Sequence, residues 1–182
     1  MHIVVILLVV AIALVVVLGF FGIGGFNPFG TSQPATQQQN PSQTFLAQVQ
    51  QNGGVTQLVG EDVTVGTGDV IAPGDTISVS YTGLLTNGSV FDSTAAHGGT
   101  PLVLVVAPDG TLHTQDGGGL IAGWSQGMTG MKEGGERLLA IPPSLGYGPN
   151  DYGPIPGNST LIFDVQLVKV TPASATSTTP AQ

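Results

Sequence analysis

The stretch DTISVSYTGLLTNGSVFDST, residues 75–94, decides the fold class. Within it Ile77, Val79 and Tyr81 alternate with Thr76, Ser78 and Ser80, the period of two that marks a strand with one buried face. Asn87-Gly88 follows, and both residues tolerate positive φ, so the pair closes a tight hairpin. The returning strand then carries Asp92 directly after the apolar pair Val90-Phe91. A carboxylate set against an apolar run ordinarily costs stability, so this position asks for an explanation.

Other strands lie on either side in the chain. PLVLVV (101–106) and ERLLAI (136–141) are candidates, and TLIFDVQLVKV (160–170) places Leu161, Phe163, Val165 and Leu167 on one face with Asp164 and Gln166 opposite. IAGWSQGMTGM (121–131) alone has helical spacing, with Trp124, Met128 and Met131 at i, i+4 and i+7. One antiparallel sheet wrapped on one short helix, an α+β fold, is the economical arrangement. No internal repeat is present.

The 182 residues, 41% of them hydrophobic, hold one core of ordinary domain size with extensions. Eleven acids against three bases give a net charge of −8, which excludes a nucleic-acid partner for want of cations to neutralise a phosphate backbone. No cysteine is present, so disulfides, thiolate metal sites and cysteine nucleophiles are excluded. Residues 3–23 carry no charged or strongly polar side chain. A bilayer core needs roughly 20 such residues as a helix, so residues 1–25 are expected to be a transmembrane anchor. The alternatives are a buried core helix and a cleaved signal peptide, whose apolar region is shorter, about 7–15 residues. Neither flank carries the Lys or Arg that sets orientation, and the short N-terminal flank favours export of the rest of the chain. The predicted organisation is an anchor over 1–25, a disordered Gln/Pro/Ser-rich linker over 26–53, a folded domain over 54–171 and a disordered tail over 172–182. Phe45, Leu46 and Val49 near the end of the linker are compatible with a short amphipathic turn or with scattered apolar residues in a tether.

Three segments in order, SYTGLLTNGSVFDST, GLIAGWSQGMTGMKEGGERLLAIPPSLGYG and IPGNSTLIFDVQLVKV, closely resemble the FK506-binding-protein (FKBP) type of peptidyl-prolyl cis-trans isomerase, here in a membrane-anchored form. The resemblance runs from about Glu61 to Val170. It implies a curved antiparallel sheet of about five strands around a short helix, preceded by the N-terminal transmembrane helix. It also implies a chemistry. Rotation about an X–Pro bond faces a barrier of about 18–20 kcal/mol from amide resonance, and no proton or nucleophile has to be supplied. A dry apolar pocket that grips the proline ring favours the less polar, twisted amide over the planar one. No cofactor and no metal is implied. Partners by resemblance are proline-containing polypeptides and macrolides of the FK506 and rapamycin kind, with the domain assisting folding of exported proteins from an extracytoplasmic, membrane-anchored position.

Carried over by resemblance, the catalytic positions are Tyr81, Phe91, Asp92, Ile121, Trp124, Tyr147 and Phe163, and the substrate-binding ones are Leu102, Leu120, Ile155 and His97. Trp124 is the pocket floor and Phe91 and Phe163 its walls, while the Tyr147 hydroxyl and the Ile121 N–H donate to substrate carbonyls. In similar proteins the tyrosine matching Tyr81 donates to the acid matching Asp92, and an arginine five positions on pairs with it. Here that position is His97, a weaker and pH-dependent partner, so activity is expected to vary with pH near neutrality. The alternative for His97 is a solvated loop residue. Leu102 stands where relatives commonly have Phe, and the insert at 105–119 is longer than in the smallest relatives. In the loop after Tyr147, Asp151 or Tyr152 falls near a position where relatives often have His.

Rival chemistries fare worse. His97, Asp109, His113 and Asp116 fit no tight metal-ligand spacing, and loop acids beside glycines are usually turn formers. No Gly-x-Ser-x-Gly occurs, which removes the serine hydrolase reading. The sequon at Asn87 reads better as the hairpin turn, and a second lies at Asn158. The remaining alternative to the enzyme is a non-catalytic proline-peptide binding or chaperone module that uses the same pocket.

Overall fold

The computed structural model describes residues 40–173. The expected membrane segment, residues 26–39 of the linker and residues 174–182 of the tail lie outside them. Among the described residues no helix is long and apolar enough to cross a membrane.

The elements run α1 (Pro41–Gln51), β1 (Val59–Thr64), β2 (Thr76–Leu85), β3 (Val90–Ser93), a 3-10 turn (Thr94–His97), β4 (Leu102–Val106), β5 (Leu112–Thr114), α2 (Ala122–Gly127), β6 (Glu136–Ile141), a second 3-10 turn (Pro143–Leu145) and β7 (Leu161–Thr171). The strands form one sheet in the order β1-β6-β7-β2-β4-β5, with β3 also on β2, and every pairing is antiparallel. Seven strands replace the five expected. The additional ones are β1, whose residues are almost all exposed and show no alternation, and β5, three residues long and too short to show a period.

The hairpin at 75–94 forms as its sequence implies. Gly88 adopts a φ of +86°, its N–H donates to the Leu85 carbonyl at 2.9 Å, and the Asn87 side chain accepts from Ser89 N–H at 2.9 Å. The long β2–β7 pair is the spine. Its register shifts between Ser78 and Val79, leaving Val168 as the extra residue of a bulge. Val168 and Lys169 are therefore both exposed, and the inward alternation resumes at Val170.

Inward residues of the sheet meet α2. Ile77, Val79, Leu139, Ile141 and Val165 are fully buried against Trp124, Met128 and Met131. The helix lies close to β6 because two glycines one turn apart face it. A Cβ on Gly123 would sit 2.4 Å from Ile141 Cγ2, and one on Gly127 would sit 2.8 Å from Leu139 Cδ1. Met131 reaches the same core from beyond the helix, which ends at Gly127.

The outer face is apolar too, and here the linker expectation is corrected. Leu138, Ala140 and Ile162 point away from α2 and are covered by α1, whose Phe45 and Val49 are buried on them. Residues 41–51, expected within a disordered linker, are thus a helix of the domain. Asn40 caps it through Oδ1, accepting from Ser42 N–H at 3.1 Å, and Pro41 occupies the first turn, where its missing N–H costs nothing. Ser42 Oγ also donates to Asp164 Oδ2 on β7 at 2.8 Å. A polar segment of this length is marginal as an isolated helix, and the buried Phe45–Val49 pair supplies what its composition lacks.

Candidate functional site

The site forms where β3 leaves regular geometry. Leu84 pairs with Val90 and Gly83 with Asp92, so Phe91 is the extra residue of a bulge. On a regular strand Phe91 and Asp92 would face opposite sides; the bulge lets both line one cavity. Gly83 leaves the room. A Cβ there would lie 2.7 Å from Phe91 Cζ and 2.9 Å from Phe163 Cε1.

Four aromatic rings define the cavity. Trp124 meets Tyr81 and Phe163 edge to face, each with centroids 5.3 Å apart, and Phe91 meets Phe163 the same way at 5.5 Å. Such pairs add about 0.5–1.5 kcal/mol each beyond their burial and fix ring orientation, so the cavity is preformed. Leu102 of β4 and the segment Gly119, Leu120 and Ile121 before α2 complete its sides. Tyr147 and Tyr152, from the loop joining β6 to β7, form the rim as a parallel stack with centroids 4.2 Å apart. The volume of this open cavity is about 230 Å³. That is below the roughly 300–1,000 Å³ of sites for drug-sized ligands, so it suits a single ring-sized group.

Asp92 is the one carboxylate in this lining, and it is well supplied with donors. Its Oδ2 accepts from the Tyr81 hydroxyl at 2.7 Å. Oδ1 accepts from Ser93 N–H at 2.8 Å and lies 2.8 Å from His97 Nε2. Burial alone would raise its pKa, but the bonds from Tyr81, His97 and Ser93 outweigh burial and hold it below the ordinary carboxylate value. Burial, then the bond to Asp92, pushes the Tyr81 hydroxyl far above the ordinary phenol range, so it stays a donor. Tyr147 is raised as well, by burial first and then by Tyr152 and Asp92. The acid that stands out in the sequence is thus the hydrogen-bonded polar edge of an aromatic cavity.

Tyr81, Phe91, Asp92, Leu102, Leu120, Ile121, Trp124, Tyr147 and Phe163 all line this one cavity. Two expected positions lie elsewhere. Ile155 is only 3% exposed and belongs to the core, because its backbone closes a tight turn with Tyr152 in which both N–H groups are bonded. That turn carries Tyr152 to the rim, a lining residue the sequence marked only as uncertain in register. His97 does not line the cavity; it faces Asp92 from the neighbouring groove, held by the Ser93 cap on its 3-10 turn. Asp109 and Asp116 bind within their own turns, Asp109 to Thr111 N–H at 3.0 Å and Asp116 to the Thr114 hydroxyl. Among the described residues no three His, Cys, Asp or Glu converge as metal ligands.

A family model described as FKBP-type peptidyl-prolyl cis-trans isomerase matches residues 68–168, a span that contains every residue lining the cavity. The chain is 42% identical over 114 residues to an FK506-binding protein of Neisseria meningitidis serogroup B, covering 62% of this chain and 95% of that one. It is also 42% identical over 110 residues to FK506-binding protein 4 of Chaetomium thermophilum, covering 60% of this chain but 20% of the fungal protein. The chain thus spans nearly the whole bacterial relative and about a fifth of the fungal one. Among solved structures, FkpA from Escherichia coli superposes with a TM-score of 0.55 at 34% identity, over 72% of this chain and 58% of that one. The sheet, its short helix and the aromatic cavity between them therefore have a family, and the chain belongs to the FKBP-type peptidyl-prolyl cis-trans isomerases.

Proposed function

We propose that the domain accelerates rotation about X–Pro bonds in polypeptides by binding the proline ring in the Trp124 cavity. The observation that carries this is the set of three edge-to-face ring contacts around Trp124 and Phe163, a preformed apolar surface that needs no reorganisation when a ring enters. Water excluded there cannot solvate the planar amide, so the twisted amide, with its less polar carbonyl, is favoured. The Tyr147 hydroxyl at the cavity rim and the Ile121 N–H, which has no acceptor among the described residues, are donors for substrate carbonyls. Turnover of a proline peptide by the full chain, set beside Trp124→Ala, tests the reading. Rates equal to the uncatalysed reaction for the unsubstituted chain would sink it in favour of a binding module.

Two further parts belong to this reading. Macrolides of the FK506 kind are proposed as competing ligands, since relatives carry that name. Trp124 is the chain's one tryptophan, so its fluorescence reports occupancy, and an emission unchanged by FK506 contradicts this part. The uncharged run at 3–23 supports membrane anchorage, with the domain outside the cytoplasm acting on exported chains. Release of the full chain from membranes by alkaline extraction would remove the anchor.

A further inference from the structure

The cavity is flanked on two sides by grooves that the insert at 105–119 helps to build. One, of about 480 Å³, adjoins it across Tyr81 and Leu102 and is lined beyond them by Pro101, Gln115 and Asp116. The other, of about 720 Å³, adjoins it across Gly119 and Leu120 and is lined by Asp109, Thr111, His113 and Gln126. The wall between them is held by backbone hydrogen bonds. β4 and β5 pair, a second turn returns the chain through a Thr114 N–H to Gly118 carbonyl bond at 2.8 Å, and Leu112 is buried. Leu112 N–H also donates to Ser125 Oγ on α2 at 3.0 Å, tying the wall to the helix under the cavity.

A peptide with its proline in the cavity has neighbouring residues on each side, and these grooves are where the surface continues. The fixed charges they present are of one sign. Asp116 lines one groove, Asp109 the other and Asp92 the cavity between, while no Lys or Arg lines any of the three. The chain's three cations lie elsewhere: Lys132 and Arg137 line a separate small cleft, Arg137 paired with Asp62 at 2.6 Å, and Lys169 sits at the far end of β7 beside Ser78.

From this continuity and charge pattern we propose that the two grooves are substrate subsites for the residues flanking the proline, and that they select Lys or Arg there over Glu or Asp. The proposal rests on the isomerase reading and deepens it by naming a substrate class, cationic proline segments. Asp109 and Asp116 are specificity-determining residues in it, acting through charge at the groove walls.

The test uses the full chain at pH 8, with every peptide compared at that one pH. Proline peptides that differ only in carrying Lys, Gln or Glu beside the proline, before it and after it, are compared in turnover and in Trp124 fluorescence titration. Lys is expected to exceed Gln by about threefold per flanking position, and Glu to fall below Gln, as for exposed ion pairs. The order is expected to collapse toward unity in about 1 M salt, where the screening length is near 3 Å. The Asp109→Asn and Asp116→Asn pair, which keeps the oxygens that bind Thr111 and Thr114, is expected to erase the preference, and Glu61→Gln on the distant β1 edge to retain it. Equal turnover and equal binding for all three peptides overturns the subsites, as does a preference that survives the double substitution. Discrimination in binding with no turnover of any peptide leaves the subsites standing and overturns the isomerase reading instead.

Discussion

The two faces of the sheet bury apolar surface in similar ways and for different ends. On the inner face, Leu139, Phe163 and Val165 pack on α2, and the edge of that core opens as the aromatic cavity. On the outer face, Leu138, Ala140 and Ile162, alternating with them on the same strands β6 and β7, are closed by α1. The inner face therefore couples stability to ligand geometry, while the outer face contributes stability alone. A residue's burial does not reveal which of these it serves. The strand that carries it is shared, and only the side it faces differs.

Substitutions break the comparison in order of effect. Trp124→Ala removes the cavity floor and is expected to cost about 3–5 kcal/mol in denaturant unfolding while bringing turnover to the uncatalysed rate. Phe45→Ala, equally buried but on the outer face, is expected to cost about 3 kcal/mol with kcat/KM unchanged below its lowered Tm. A fall in kcat/KM for the folded Phe45 variant would show that the faces are coupled after all. Gly83→Ala is intermediate in stability, about 1–3 kcal/mol, because its methyl would displace the Phe91 and Phe163 rings. Unlike Phe45→Ala it is expected to raise KM, and an unaltered KM would mean that the ring contacts do not set the cavity.

The smallest expected effect is a pH dependence. Asp92 is faced by Tyr81 from β2, by His97 from the 3-10 turn and by Tyr147 across the rim. A protonated His97 ring adds an ionic part to its bond to Asp92 and compensates the carboxylate at the cavity mouth, and the range from pH 5.5 to 8 tests this pairing. For the unsubstituted chain kcat/KM is expected to fall by about threefold over that range, the scale of an exposed pair. His97→Arg should flatten the profile, and a flat profile before substitution would remove His97 from the site. Stability has its own window. Because the folded pKa of Asp92 is depressed, its bonds stabilise the fold above the ordinary carboxylate value and that contribution is lost as pH falls through the folded one, so a titration of Tm should fall on the acid side of about pH 4.

Legibility in the sequence followed the range of the interactions. The hairpin at 75–94 and the alternation of Leu161, Phe163, Val165 and Leu167 are local periods that stand in the structure where the residues place them, while of the Trp124, Met128 and Met131 spacing the helix itself holds only Trp124, and all three reach the core. The order of the motifs also marks the cavity residues. Three features escaped that reading or were left open by it. Helix α1 is too polar to hold alone and forms on Leu138 and Ile162, about a hundred residues away in the chain. Apolar residues on both sides of ERLLAI were the signal for a second covering layer. The bulge that brings Phe91 and Asp92 to the same side is a register event between two strands, and a period of two carries no trace of it. Tyr152 reaches the rim, and Ile155 the core, because a turn of residues 152–155 closes on its own backbone, and the sequence left that loop open between Asp151 and Tyr152.

By itself, then, the sequence determined the strand alternation, the hairpin turn, the family and the aromatic residues of the cavity, since these rest on spacing and on motif order. The tertiary structure alone decided that Ser93 N–H joins Tyr81 and His97 on Asp92, so that both carboxylate oxygens are held, and that α1 belongs to the domain. The physical reason is the same in each case. Hydrogen bonds to a partly buried carboxylate and packing on an unpartnered sheet face are set by distances across the fold, which neighbours in the chain do not encode.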